Sequence, residues 1–319
     1  MIIRDLFKWN EKMFGNGFDA SVVLREGNLG YIGAGAHKKQ IMFLGNDIYH
    51  VKEPHSKYYK NNAGDFGVSG EAMDNEFAAA TELLAEMRYR AFHIPYAYYE
   101  VFRGKGGEFQ LLSKDIANDK IEIRTLADLF SYEDDFFSKY SKKFSMQTLE
   151  EIIAHPAVAL KFMTPNCYDQ FVKYALASMF DFANDEHFNN VIFIRNQNSM
   201  LLESMFLCDK ESNVFNPLIA REFSLDDVFS RTNDYTEYTG FHFVDRDETF
   251  DRRVSTLIRM IKKGTMPKKY INFLSDYAGF DFEKAANEIK NRHGVTIDDR
   301  QLDVYKRSAE IAGEISQRS

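Results

Sequence analysis

The sequence predicts an α+β fold in two lobes, a small, largely antiparallel sheet followed by a mainly helical body. Three observations predict it. Short apolar runs separated by Gly, Asn and Asp crowd the chain as far as Leu112. Helical periodicity takes over after about Thr125. At 319 residues and 37.0 kDa, the chain is also too large for one small core.

Composition narrows the classes. Hydrophobic residues make up 45% and charged residues 28%, which is globular rather than disordered. The formal charge of −8 leaves no broad basic excess to displace counterions, so no direct nucleic-acid partner is expected. Lys38-Lys39 and Lys262-Lys263 read as solvated faces. Cys167 and Cys208 can build neither a disulfide framework nor a zinc ribbon, and their apolar neighbours suit buried free thiols. The histidines are scattered without metal-ligand spacing, so no zinc site is expected. Arg4, Asp5, Lys8 and Glu11 interrupt the first apolar stretch, which argues against a signal peptide. No run approaches the roughly eighteen apolar residues that a membrane-spanning helix needs.

Taken in order, Ile2, Ile3, Leu6, Phe7, Met13 and Phe14 suit a short amphipathic helix that Gly15-Asn16-Gly17 ends. Val22-Val23-Leu24 reads as a strand, and Gly30 to Ala36 is glycine-rich. Ile41–Leu44 and Ile48–Lys52 flank Gly45-Asn46-Asp47, which predicts a hairpin. A glycine-rich stretch alone is most simply a tight turn. Ahead of a strand ending in Lys52 it admits a second reading. Gly33 and Gly35 would then approach a nucleotide's phosphates, with Lys52 reaching the α- and β-phosphates. The plainer reading of Lys52 is a solvated strand-end lysine.

Residues 53–70 are polar and read as a loop. Phe77, Ala80, Leu83, Leu84 and Met87 recur at helical spacing and predict a helix from Glu71 to Tyr89. Glu76, in its first turns, is the candidate acid for orienting Lys52, with Glu71 and Glu82 as competitors. Negative charge is favoured there in any case, near a helix N-terminus. Pro95–Phe102 and Phe109–Leu112 predict a further strand pair around Gly104 to Gly107. Lys114-Asp115 and the polar run that follows divide a first lobe, residues 1–115, from a second, residues 116–319.

Helical segments are expected over Thr125–Tyr132, Phe136–Tyr140 and Thr148–Ile153. A longer helix is expected from about Tyr168 to Phe182, with Val172, Leu176, Met179 and Phe180 on one face. Residues 210–245 are rich in Ser, Thr and Tyr and suit an activation-type or substrate-facing segment. From Asp247 the pattern is helical to the end. The last helix opens at Thr296-Ile297-Asp298-Asp299.

The most specific feature lies between these helices. Asp185-Glu186-His187-Phe188-Asn189-Asn190 spells Asp-x-His-x-x-Asn. A predicted hairpin, Val191–Ile194 and a second run ending at Cys208-Asp209, then returns the chain. Nineteen positions separate Asn190 from Asp209, enough for two short strands and a turn that bring both side chains to one edge. Each residue has a bland reading alone, as a turn or loop polar group. The order of glycine loop, strand lysine, helix glutamate, Asp-x-His-x-x-Asn, hairpin and Asp is what phosphoryl transfer from ATP with magnesium requires.

Several of these pieces carry a resemblance: Gly33-Ala34-Gly35 to Lys39, Asp47 to Lys52, Asn75-Glu76-Phe77-Ala78, Ser113-Lys114-Asp115, Asp185 to Asn190, and Asp209. On them the sequence resembles the HipA-like serine/threonine kinases of bacteria, especially the shorter, cell-translocating type of Helicobacter. The resemblance runs from about residue 30 to 210. It implies a protein-kinase-like fold and roles residue by residue. Lys52 would bind the ATP phosphates with Glu76 holding it. Asp185 would orient or deprotonate the acceptor hydroxyl, and Asn190 and Asp209 would bind Mg2+. The backbone of Leu112, Ser113 and Lys114 would meet the adenine, while His187 would steady the loop. The sequence departs from the family in having Ala183 two residues before Asp185 and Lys210-Glu211 after Asp209. It also carries no Ser or Thr between Tyr31 and Gln40.

The expectation is an ATP- and Mg2+-dependent kinase acting on a protein Ser or Thr, with an antitoxin or host protein as further partner. It would be cytoplasmic, or translocated by a signal-less route. Alternatives are a phosphoinositide or small-molecule kinase, since phosphoinositide kinases share Asp-x-His-x-x-Asn, and a catalytically weak scaffold or toxin module. Lys210, Arg221 and Arg231 stand among at least as many acids, which favours a protein acceptor over a lipid.

Overall fold

Strands and one long helix build the first part of the molecule. A computed structural model describes residues 28–31, 39–44, 47–52, 75–104, 107–116, 120–126, 128, 146–181, 191–207, 229 and 250–318. Strands β1 (Asn28–Tyr31), β2 (Lys39–Leu44), β3 (Asp47–Lys52), β4 (Glu100–Arg103) and β5 (Phe109–Lys114) form one antiparallel sheet in the order β1-β2-β3-β5-β4. Leu44 pairs with Asp47, so β2 and β3 are the expected hairpin with the tightest connection. Tyr49 and Val51 are buried, while Phe43 on β2 stays largely exposed.

Helix α1 (Asn75–Ala91) crosses from β3 to β4. Its first residue fixes it to the sheet: the Asn75 amide donates to the Phe109 carbonyl at 3.0 Å and accepts from the Phe109 N–H. Its other end is closed by His93, at φ 59°. The His93 N–H bonds to the Arg90 carbonyl and the Ile94 N–H to the Tyr89 carbonyl, the paired contacts of a Schellman motif.

The second part is helical around a small sheet. Strands β6 (Ile121–Thr125), β7 (Ile192–Asn196) and β8 (Ser204–Phe206) pair in the order β6-β7-β8. Helix α2 (Met146–Ala154) and the short α3 (Pro156–Ala159) precede the long α4 (Pro165–Asp181). Helices α5 (Phe250–Lys262), α6 (Lys268–Ala278), α7 (Phe282–His293) and α8 (Asp299–Ser316) complete the lobe. Asp281 and Asp298 cap the last two helices by accepting from the Lys284 and Arg300 N–H groups. Helices α6 and α8 pack on each other and on α4, whose Phe171, Val172, Leu176, Met179 and Phe180 are fully buried. Each such side chain contributes on the order of 1.5–3 kcal/mol by leaving water. Among the described residues, no helix is long and apolar enough to cross a membrane.

Two expectations need correcting. Thr125, expected to open a helix, instead closes β6, because Ile121, Ile123 and Thr125 alternate with Glu122 and Arg124 and find β7 as partner. Pro95–Tyr99 is not strand throughout. Its backbone turns aside to Leu207, which accepts from the Ala97 N–H at 2.7 Å and donates to the Pro95 carbonyl at 2.9 Å. The expected segments over residues 1–27, 53–70, 129–145 and, apart from residue 229, 210–245 lie outside the described residues.

Candidate active site

The third strand of the large sheet ends at Lys52, which is only 5% exposed. That burial rules out the solvated strand-end reading, since a buried ammonium needs a partner. The partner is on α1. Lys52 Nζ lies 3.5 Å from Glu82 Oε2, with the glutamate side chain wholly buried. The distance is long for an N–H···O bond, so the contact is as much coulombic as directional. The other carboxylate oxygen, Oε1, accepts from the Tyr96 hydroxyl at 2.8 Å.

This corrects the expected pairing of Lys52 with Glu76. Glu76 accepts instead from the Thr296 N–H at 2.8 Å, tying the start of α1 to the segment between α7 and α8. The reason is helical geometry. Six positions on an α-helix amount to about 240° of rotation, so Glu76 and Glu82 point to different surroundings. The Glu82 face meets Lys52 at the end of β3.

Leu112, Ser113 and Lys114 end β5, beside β3: Val51 pairs with Leu112, His50 with Ser113 and Tyr49 with Lys114. The Asp115 N–H donates to the Ile48 carbonyl at 2.8 Å, and His50 Nε2 meets Asp115 Oδ2 at 2.9 Å, fixing the exit of β5. Backbone groups alternate in an antiparallel ladder, so the N–H and C=O of Lys114 point away from β3. On that side the β4 pairing has already ended at Leu112. The Leu112 and Lys114 side chains are buried, so this stretch offers main chain rather than side chain to a ligand.

Gly33, Gly35, Asp185, His187, Asn190 and Asp209 lie outside the described residues. The elements leading to them are described. Strands β7 and β8 pair as the expected hairpin, Ile192 with Phe206 and Ile194 with Ser204. Asn190 comes two residues before β7 in the sequence, and Asp209 three residues after β8. Gln170 on α4 holds β8 in place, accepting from the Ser204 hydroxyl at 2.9 Å and the Met205 N–H at 3.0 Å.

Sequence reasoning missed three residues that the structure ties to the elements around this pair. Tyr96 was one expected strand residue among several. Arg88 and Asp181, the latter closing α4 four residues before Asp185, form a buried ion contact at 2.7 Å. A signal was present: Glu82, Glu86 and Arg88 interrupt an otherwise apolar stretch of helix, where charge without a partner is costly.

No family model matches the chain, and no curated protein does. Solved structures do. The proinflammatory kinase CtkA of Helicobacter pylori superposes with a TM-score of 0.55 at 14% identity, covering 91% of this chain and 96% of that one. This is the two-lobed, kinase-like α+β fold. HipA of Shewanella oneidensis, from a complex with HipB and operator DNA, gives a TM-score of 0.47 at 11% identity over 98% of this chain and 70% of that chain. The MAP kinase LmaMPK10 of Leishmania major gives 0.31 at 10% identity, over 98% and 84% of the two chains.

Proposed function

We propose that the protein is an ATP- and Mg2+-dependent kinase that phosphorylates Ser or Thr hydroxyls of a protein, with residues 1–115 as the nucleotide-binding lobe and 116–319 as the catalytic lobe. The observation that carries this reading is the buried Lys52–Glu82 pair between β3 and the helix that follows it. In protein kinases a lysine on the third strand and a glutamate on the next helix must meet for phosphate binding. Few other uses explain a lysine buried at that position and held by an acid.

The buried Lys52–Glu82 pair and the main chain at the end of β5, past the β4 pairing, support such a ligand. Lys52, oriented by Glu82, supplies a fixed positive charge for the α- and β-phosphates. The main chain of Lys114, at the end of the Leu112–Lys114 stretch where the β4 pairing has stopped, supplies a donor and an acceptor for the adenine edge, and Gly33 and Gly35 allow close backbone approach. Bound MgATP supplies the transferable phosphoryl group. Asp185 takes the proton of the acceptor hydroxyl, and Asn190 and Asp209 hold magnesium. Catalysis in this arrangement rests on positioning and charge neutralisation.

The test is magnesium-dependent ATP binding and label transfer to protein Ser or Thr. Wild type is compared with Asp185→Asn, Asp209→Asn, Glu82→Gln and Glu76→Gln. Asp185→Asn should lower transfer by roughly 10²–10⁴-fold with binding retained. The loss at Glu82 should exceed that at Glu76. Wild-type protein that binds no nucleotide would sink the kinase reading. Binding without transfer would favour a scaffold, and transfer to lipid alone a phosphoinositide kinase.

A further inference from the structure

Tyr96 is tied to two parts of the molecule by different atoms. Its hydroxyl donates to Glu82 Oε1 at 2.8 Å, a shorter contact than the 3.5 Å from Lys52 Nζ to Oε2. A carboxylate free to turn about its last bond would present either oxygen to the lysine. With Oε1 occupied by Tyr96, Oε2 faces Lys52. The backbone around Tyr96 forms a parallel bridge with Leu207: the Ala97 N–H donates to the Leu207 carbonyl at 2.7 Å and the Leu207 N–H to the Pro95 carbonyl at 2.9 Å. Leu207 follows β8 directly and precedes Asp209 by two residues.

The ring cannot swing independently of these ties. Tyr96 is 3% exposed, stacks on Tyr89 of α1 with centroids 5.8 Å apart and planes 10° apart, and meets Tyr99 edge-on. One end of the residue therefore reports the position of β8 and the other sets the carboxylate that orients Lys52.

We propose that Tyr96 is a positioning residue that couples the Lys52–Glu82 pair to β8, so that the lysine is aligned only when the strand leading toward Asp209 is in register. The inference rests on the kinase reading above. It goes beyond it by assigning the alignment of Lys52 to a side chain that would touch neither nucleotide nor metal. A tyrosine with a purely structural role would change stability and leave nucleotide handling alone. A positioning tyrosine changes the KM for MgATP as well as kcat, and only through Glu82.

The experiment uses the full chain and four proteins: wild type, Tyr96→Phe, Glu82→Met and the double variant. Tyr96→Phe keeps the stacked ring and removes one charge-assisted hydrogen bond. It should raise KM for MgATP about tenfold and lower kcat, with the thermal midpoint lowered only as far as the loss of one buried hydrogen bond requires. In the Glu82→Met background the same change should add less than about twofold, because the acceptor is gone. Wild-type kinetics in Tyr96→Phe, or a full tenfold effect added to Glu82→Met, overturns the coupling while leaving the kinase reading intact. Should Glu82→Met fail to fold, the KM of Tyr96→Phe alone decides. Wild type without MgATP binding or transfer overturns both.

Discussion

Arg88 of α1 and Asp181 at the end of α4 meet at 2.7 Å with side chains 2% and 5% exposed, joining the helix that carries Glu82 to the helix that precedes Asp185. The pair is an ion contact rather than an aligned hydrogen bond. Its surroundings complete it. Tyr277 donates to Asp181 Oδ1 at 2.6 Å, and the guanidinium lies 5.1 Å from the Tyr305 ring centroid and 5.5 Å from that of Tyr277. Burial disfavours the Arg88 charge, but Asp181 and the tyrosines more than offset this and hold it above its usual value. Burial likewise pushes the Tyr277 hydroxyl well up, so it remains a donor.

Breaking this pair from one side leaves an uncompensated buried charge. Asp181→Asn and Arg88→Met should each lower unfolding free energy by about 3–5 kcal/mol, since desolvation of the survivor is no longer offset. Removing both, as Arg88→Met with Asp181→Asn, should cost less than the two separate losses added together. Urea unfolding of the three variants measures this. Simple additivity would show that the two helices are not held by this contact.

A second prediction concerns pH. Glu86, one turn beyond Glu82 on α1, is 5% exposed; it accepts from Arg90 at 2.9 Å and from the Tyr99 N–H at 3.3 Å. Burial raises its carboxyl to about 7, with Arg90 restraining the rise. The folded form thus binds a proton that the unfolded chain, near the ordinary value, has released. Between about pH 4.5 and 7 the unfolded state binds fewer protons, so stability falls as pH rises. The site's contribution is fully present below the unfolded value and is lost on passing the folded one. Glu86→Gln imitates the protonated side chain and should gain on wild type, by up to about 3 kcal/mol, from pH 4.5 to 8. Urea midpoints of both proteins across that range test it. A constant difference would mean that Arg90 keeps Glu86 ionised throughout.

The legible parts of the fold were those whose pattern is local. The β2–β3 hairpin, Lys52 at its end and the long α4 follow from turn residues and periodicity within a few positions. Glu82 was harder to choose. Glu76 and Glu82 stand on one helix, and what separates them is which face meets β3, a fact set by tertiary packing. Tyr96 was hidden for a related reason: its contacts, Glu82 and Leu207, lie far from it in sequence and serve different atoms. Strand β6 was overlooked although Ile121-Glu122-Ile123-Arg124-Thr125 alternates, because its partner β7 comes some seventy residues later. The β7–β8 hairpin behind the Asp-x-His-x-x-Asn motif was legible as two apolar runs around a polar break, while the motif's own residues lie outside the described ones.

The last prediction concerns the end of α1, on which Arg88, Glu86 and Glu82 all depend for their positions. His93 holds φ 59° without being glycine, at the position where a Schellman motif turns left-handed. Its Cβ makes that conformation costly by about 1–2 kcal/mol, part of which the flexibility of an unfolded glycine would take back. The interactions that matter here are made by the backbone. The His93 carbonyl accepts from Gln170 at 3.4 Å and its N–H bonds to Arg90, while the imidazole is exposed. His93→Gly should therefore stabilise the protein by about 0.5–1 kcal/mol and leave these contacts in place. His93→Val should destabilise it, since a β-branched residue resists positive φ. Thermal and urea unfolding of the two variants give the answer. If His93→Gly unfolds more easily than wild type, the imidazole has a role in closing the helix that the backbone contacts do not explain.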